Sequence, residues 1–184
     1  MQKPKLSKEE LLTKIADFDF DFSKYKLLLV GIHGYYKNSM GKPNVNDINI
    51  YDDAIFVVSK DTFASFNANT DPSKVQKSIA TLQPGVYYAH KFDTHFGKTS
   101  KYPAICQRLG NVTVKREGEG AKLFTGMFGI NIHQGGNNTT SSLGCQTVPP
   151  TQWKAFYELS KAVAVREYGK DWDKVVIPYI LLEN

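Results

Sequence analysis

Residues 128–149 read FGINIHQGGNNTTSSLGCQTVP, which sets His133 and Cys145 at the two ends of a loop made almost wholly of Gly, Asn, Ser and Thr. A thiol becomes a useful nucleophile when a nearby imidazole draws off its proton, taking its pKa below the free value of ~8.5. Gly144 lets the backbone turn tightly just before the cysteine and present consecutive amides, the arrangement an oxyanion hole uses. If GINIH is a strand with Ile130 and Ile132 facing the core, Asn131 and His133 point the other way, towards the following loop. Spacing alone leaves two readings of Cys145 open, nucleophile or structural residue, and a lone histidine is more often a surface or structural group than a catalytic one. The other cysteine, Cys106, lies in the apolar run YPAICQRL and reads as a buried, inert thiol. Without a signal peptide the two are expected as free thiols, not a disulfide.

These residues resemble the catalytic signature of the L,D-transpeptidase (YkuD-like) family of cell-wall enzymes: a histidine at a strand end, a polar loop, then Ser/Thr-His-Gly-Cys. The matching positions are His133, Ser142, Gly144 and Cys145. TLQPGVYYAH is similar to the family's strand before the site and GINIH to its histidine strand, so the resemblance covers roughly residues 80–148. Leu143 stands where the family has the histidine before Gly-Cys, the loop from His133 is several residues shorter, and Gln146-Thr147 replaces the usual pair after the cysteine. The match is to a divergent short-loop branch that resembles phage and secretion-system cell-wall proteins carrying His-x-Gly-Asn, which His133 to Asn137 approximates with one inserted glycine.

The resemblance implies a mainly β fold with peripheral helices, an L,D-transpeptidase-like mixed β-sandwich or barrel. It implies a cysteine-dependent hydrolase of peptidoglycan stem peptides, of L,D-carboxypeptidase or endopeptidase type, working through a thioester acyl-enzyme as a bacteriolytic phage enzyme or interbacterial effector toxin. Cys145 would be the nucleophile and His133 the general base. Amides of Gly144 and Cys145 would hold the oxyanion, such a donor being worth ~3–4 kcal/mol. Ser142 would be a supporting hydrogen bond or a turn residue, and a backbone carbonyl near residues 134–136 would set the imidazole tautomer. Gln134, Asn131, Tyr36 and Gln146 are the expected substrate contacts; no metal and no cofactor is expected. The alternatives are an L,D-transpeptidase that cross-links or exchanges stem-peptide residues, or a non-catalytic cell-wall-binding or phage structural module that keeps the fold without the chemistry.

The elements that must position this loop follow from local pattern. Ser7-Lys8-Glu9-Glu10 before LLTKIA is a capping box, predicting a helix over about 8–17. KYKLLLVGI predicts a strand near 25–32, and DDAIFVVS is a short continuous apolar run bounded by charges, the form of a buried strand. TFASFNA and an aromatic strand after Pro84-Gly85 follow, then NVTVKRE, which turns back through EGEGA into a hairpin. After Pro149-Pro150, Trp153, Phe156, Tyr157, Ala164 and Val165 recur at helical spacing and Gly169 is a stop, predicting a helix over about 151–168. VVIPYILLE closes the chain as a strand whose Pro178 suggests an edge. One domain over 1–184 is expected, with no repeat and no linker.

With 41% hydrophobic and 22% charged residues the chain has globular composition. Its charge of +5 is scattered without a basic run, which argues against nucleic acid and fits equally an anionic polymer such as a cell wall or a basic protein with no charged partner. No segment approaches the ~20 apolar residues that span a bilayer, so no membrane insertion is expected. Glu9, Glu10, Lys14 and Asp17 interrupt any signal-peptide core. The expectation is synthesis in the cytoplasm and action in the periplasm or cell wall, with peptidoglycan peptides as partner and an immunity or delivery partner besides. A metal set can be drawn from His90, Asp93, His95 and His33, but it needs a turn at Asp93 to bring 90 and 95 together. Tyr51-Asp52-Asp53 reads as a strand start and Asn67 to Asp71 as a turn.

Overall fold

The computed structural model describes residues 5–97, 100–120 and 122–184. Residues 1–4, 98, 99 and 121, which belong to the expected 1–184 domain and, for Ala121, to the turn at EGEGA, lie outside the described residues.

The capping box closes on the first helix. Ser7 Oγ accepts from the Glu10 amide and Glu10 accepts from the Ser7 amide, starting α1 (Lys8–Lys14), and a short 3-10 turn at Ala16–Phe18 finishes the predicted segment. α2 (Pro150–Tyr168) opens with proline at its first position and ends at Gly169, whose φ of 57° is the left-handed geometry that stops a helix.

Between the helices run β1 (Leu28–Ile32), β2 (Asp53–Ser59), β3 (Thr62–Ala68), β4 (Ala80–Leu82), β5 (Gly85–Phe96), β6 (Lys101–Gln107), β7 (Val112–Arg116), β8 (Leu123–Gly126), β9 (Ile132–Gln134) and β10 (Gln146–Val148); β11 (Ile177–Leu182) follows α2. Eight strands make one mixed sheet in the order β10-β9-β6-β5-β11-β1-β2-β3, and β4-β7-β8 make a second, antiparallel one. β7 and β8 are the expected hairpin. The two edges of the large sheet meet at a bridge just beyond β3, where Asn69 and Thr147 exchange both amide-to-carbonyl bonds at 2.8 Å. The architecture is thus a mixed, nearly closed β-sheet with peripheral helices.

Strand side chains alternate, so an unbroken apolar strand must be covered on both faces. Leu29, Ile55, Val57, Tyr179 and Leu181 enter one core with Trp153 and Phe156 of α2. Leu28, Val30, Phe56, Val58 and Ile180 enter the other, beneath Leu11 and Ile15. Each such residue contributes about 1.5–3 kcal/mol by its removal from water.

Pro178 corrects the expectation for the last strand. β11 is central, paired in parallel with β1 and antiparallel with β5. The proline is tolerated because the β5 register shifts between Ile177 and Tyr179, so its missing N–H falls at a bulge.

Candidate functional site

A cleft of about 1060 Å3 opens over the ends of β5, β6 and β9, walled by Ser73 and Lys74 on one side and the 134–143 loop on the other. His95, Tyr102, His133 and Cys145 all line it. The imidazoles of His95 and His133 are stacked, with centroids 4.2 Å apart and planes 15° from parallel. His133 Nδ1 donates to the Gln134 carbonyl at 2.7 Å and lies 3.1 Å from Tyr102 Oη, so Nε2 is its lone-pair nitrogen. Burial first, and the stacked His95 second, lower its pKa to about 4. Burial and then Arg108 lower His95 as well, so both rings favour the neutral form at physiological pH. Two large apolar side chains stand exposed at the cleft, Phe96 at 62% and Leu143 at 65%.

The polar loop is folded onto the body by close backbone contacts. Tyr51 Oη donates to the Gly136 carbonyl, Asn49 Oδ1 accepts from the Thr140 amide, and a Cβ at Gly135 would collide with Tyr51 Oη. Gly144 is required by its φ of 129° and by the Ala80 carbonyl oxygen, 2.5 Å from where a Cβ would stand.

The cysteine acyl-enzyme reading is overturned. The one compact histidine–carboxylate group among the described residues is His33, Asp53 and Asp71, and it contains neither cysteine. β9 and β10 run in parallel with Gln146 level with Ile132 and Thr147 level with His133, so Cys145 falls level with Asn131. That offset from His133 is two residues, roughly 6.6 Å of strand. The thiol instead donates to the Gly129 carbonyl and accepts from the Asn131 amide, both at 3.4 Å, and burial pushes it up to about 11. Moving a proton from a thiol at 11 to an imidazole at 4 costs on the order of 10 kcal/mol before any compensation. The Gly144 amide, expected in the oxyanion hole, is taken by Ser142 Oγ at 3.0 Å, while that hydroxyl donates to the Cys145 carbonyl at 2.7 Å. Ser142 thus pins a turn. The peptidase or acyltransferase assignment and its thioester chemistry go with this finding. Cys106 and Cys145 are both free thiols.

The expected substrate contacts divide. Gln134 is exposed on the cleft. Asn131 is buried, its Oδ1 accepting from the Gln107 amide and its Nδ2 reaching His95 Nδ1, so it holds His95 in place. Gln146 is fully buried between Tyr179 Oη and the carbonyls of Thr70 and Gly144, and Tyr36 is packed edge-on against Tyr35 in the second core; neither reaches the cleft. The sequence-drawn metal set fails because β5 is unbroken from 85 to 96. His90 is buried on the Ile130 carbonyl, Asp93 pairs with Arg108 at 2.8 Å, and His95 is in the stack.

The group around His33 was not legible as a site. His33 follows β1, Asp53 opens β2, and Asp71 lies in the turn after β3; the β1–β2 register, Ile32 opposite Ala54, brings the first two together. Their ligand atoms lie within 4.8 Å of one another. Burial and Asp71 push the Asp53 carboxyl up to about 8 against hydrogen bonds from Thr70 and Gly34. The available signal was the pairing of an acidic dipeptide at a buried strand start with an Asn/Asp turn.

In comparison with known proteins, the chain matches no family model, no curated protein and no solved structure.

Proposed function

We propose that the protein is a non-catalytic binding module for peptidoglycan stem peptides, built on an L,D-transpeptidase-like β architecture and working at the bacterial cell wall. The observation that carries this reading is the cleft. Two large apolar side chains, Phe96 and Leu143, are left in water at a concavity of about 1060 Å3 that is mostly apolar and whose paired imidazoles are uncharged. Exposed apolar residues that converge on a concave, mostly apolar surface carrying a few polar groups mark binding.

The lining suits a short peptide ending in carboxylates. Lys74 supplies a cation, Ser73, Ser100, Thr139 and Ser141 supply hydroxyls, and Lys101 sits 5.0 Å above the Phe96 ring. The net charge of +5 favours approach to an anionic wall. Calorimetric titration of a defined tetrapeptide muropeptide tests the reading. Binding that weakens about tenfold, ~1.4 kcal/mol, in Phe96→Ser supports it; no heat with the wild type, or equal affinity in the variant, rejects it.

A further inference from the structure

We propose that His33, Asp53 and Asp71 form a binding site for one divalent transition-metal cation of the Zn2+ or Mn2+ class. Three separate segments converge there, and their ligand atoms already lie within 4.8 Å of one another. His33 Nδ1 and Asp71 Oδ2 are 3.6 Å apart. Ligands at ~2.1 Å from a tetrahedral ion are separated by ~3.4 Å. Thr70 Oγ1 stands 2.7 Å from both His33 Nδ1 and Asp53 Oδ2, placed as a further oxygen donor.

The charge pattern also lacks a cation. Asp53 is fully buried, yet its oxygens receive three donors, the Gly34 amide at 2.5 Å, the Thr70 amide at 2.5 Å and the Thr70 hydroxyl at 2.7 Å. These donors fix the orientation of the carboxylate at the junction of the three segments. Asp71 adds a second carboxylate, held by Asn46 Nδ2 at 2.7 Å. Asp52, also fully buried, lies within electrostatic reach of Asp71 and leaves Oδ1 with no hydrogen-bond partner. Among the described residues no lysine or arginine forms an ion pair with Asp47, Asp52, Asp53 or Asp71. Buried charges are paired or coordinate metals. An imidazole beside carboxylates selects a borderline cation, whereas Ca2+ and Mg2+ take all-oxygen sets.

Position gives the ion a structural task. It would join the end of β1, the start of β2 and the turn after β3, two residues before the cleft-lining Ser73 and Lys74.

The test uses the full chain after chelator treatment, with Zn2+, Mn2+, Ca2+ and Mg2+ followed by calorimetry and thermal melting. Zn2+ or Mn2+ should bind one to one and raise the melting temperature by roughly 5–10 °C at a hundredfold excess over Kd. His33→Gln and Asp71→Asn should abolish the rise, and His95→Ala should retain it. Metal-free Asp71→Asn should melt no lower than metal-free wild type, because it removes a repulsion. The proposal is overturned by no binding, by a rise that survives Asp71→Asn or disappears in His95→Ala, or by an Asp71→Asn protein that is less stable without metal.

Discussion

Native Cys145 should alkylate slowly and with a pH dependence that never levels off in the neutral range. Its thiol, with burial opposing ionisation, titrates at about 11. At pH 7 the thiolate fraction is then about 10⁻⁴, against about 3% for a free cysteine at ~8.5, a deficit of roughly 300-fold. A more basic sulfur is intrinsically the better nucleophile, which offsets about tenfold. The net expectation is alkylation roughly 20- to 30-fold slower than a free thiol at pH 7, before any shielding by Gly129 and Asn131. Iodoacetamide labelling across pH 6–10, with peptide mapping to separate Cys145 from the fully buried Cys106, reads this directly. The rate should climb about tenfold per pH unit through pH 7–10. A fast reaction with a plateau starting below pH 7, abolished by His133→Ala, would refute the reasoning and restore the thiolate–imidazolium pair.

Acid should destabilise the fold through two histidines. His90 and His133 titrate at about 4 in the folded protein because burial disfavours their cations. The unfolded chain, at ~6.5, binds more protons between those values, so stability falls as pH drops from ~6.5 to ~4, by about 3 kcal/mol per residue in full. In His133→Gln, urea melts at pH 7 and pH 5 should differ by about 2 kcal/mol less than in the wild type, and an unchanged difference would contradict the assignment. Gly144→Ala combines a left-handed backbone with a collision against the Ala80 carbonyl, and should cost roughly 2–4 kcal/mol in denaturant melts; a loss under 1 kcal/mol would show that the turn relaxes.

Local signals carried much of the architecture. DAIFVVS has no polar face, and the protein covers both of its faces with separate cores. The Ser7 box and Gly169 bound the helices because capping is a contest among neighbours in sequence. The apolar run YPAICQRL around the buried Cys106 overlaps the strand β6 (Lys101–Gln107), whose Pro103 and exposed first residues hide the β pattern. Pro178 misled because edge and bulge both spare a missing N–H, and only the register tells them apart. The turn after β3 has a local signature in its Asn and Asp residues, but its meeting with His33 and Asp53 depends on strand pairing across 20 residues, which has none. His133 and Cys145 do share a cleft, yet the in-register pairing of β9 with β10 sets the cysteine beside Asn131. A two-residue offset of that kind cannot be read from loop length.

The measurement that bears most directly on the account is a titration of a tetrapeptide muropeptide into wild-type and Cys145→Ala proteins, with masses of ligand and protein taken afterwards. The binding-module account requires Kd values within about twofold of each other and an unaltered ligand. Trimmed or exchanged peptide, or an acyl adduct on Cys145, produced by the wild type and absent with Cys145→Ala, would contradict it.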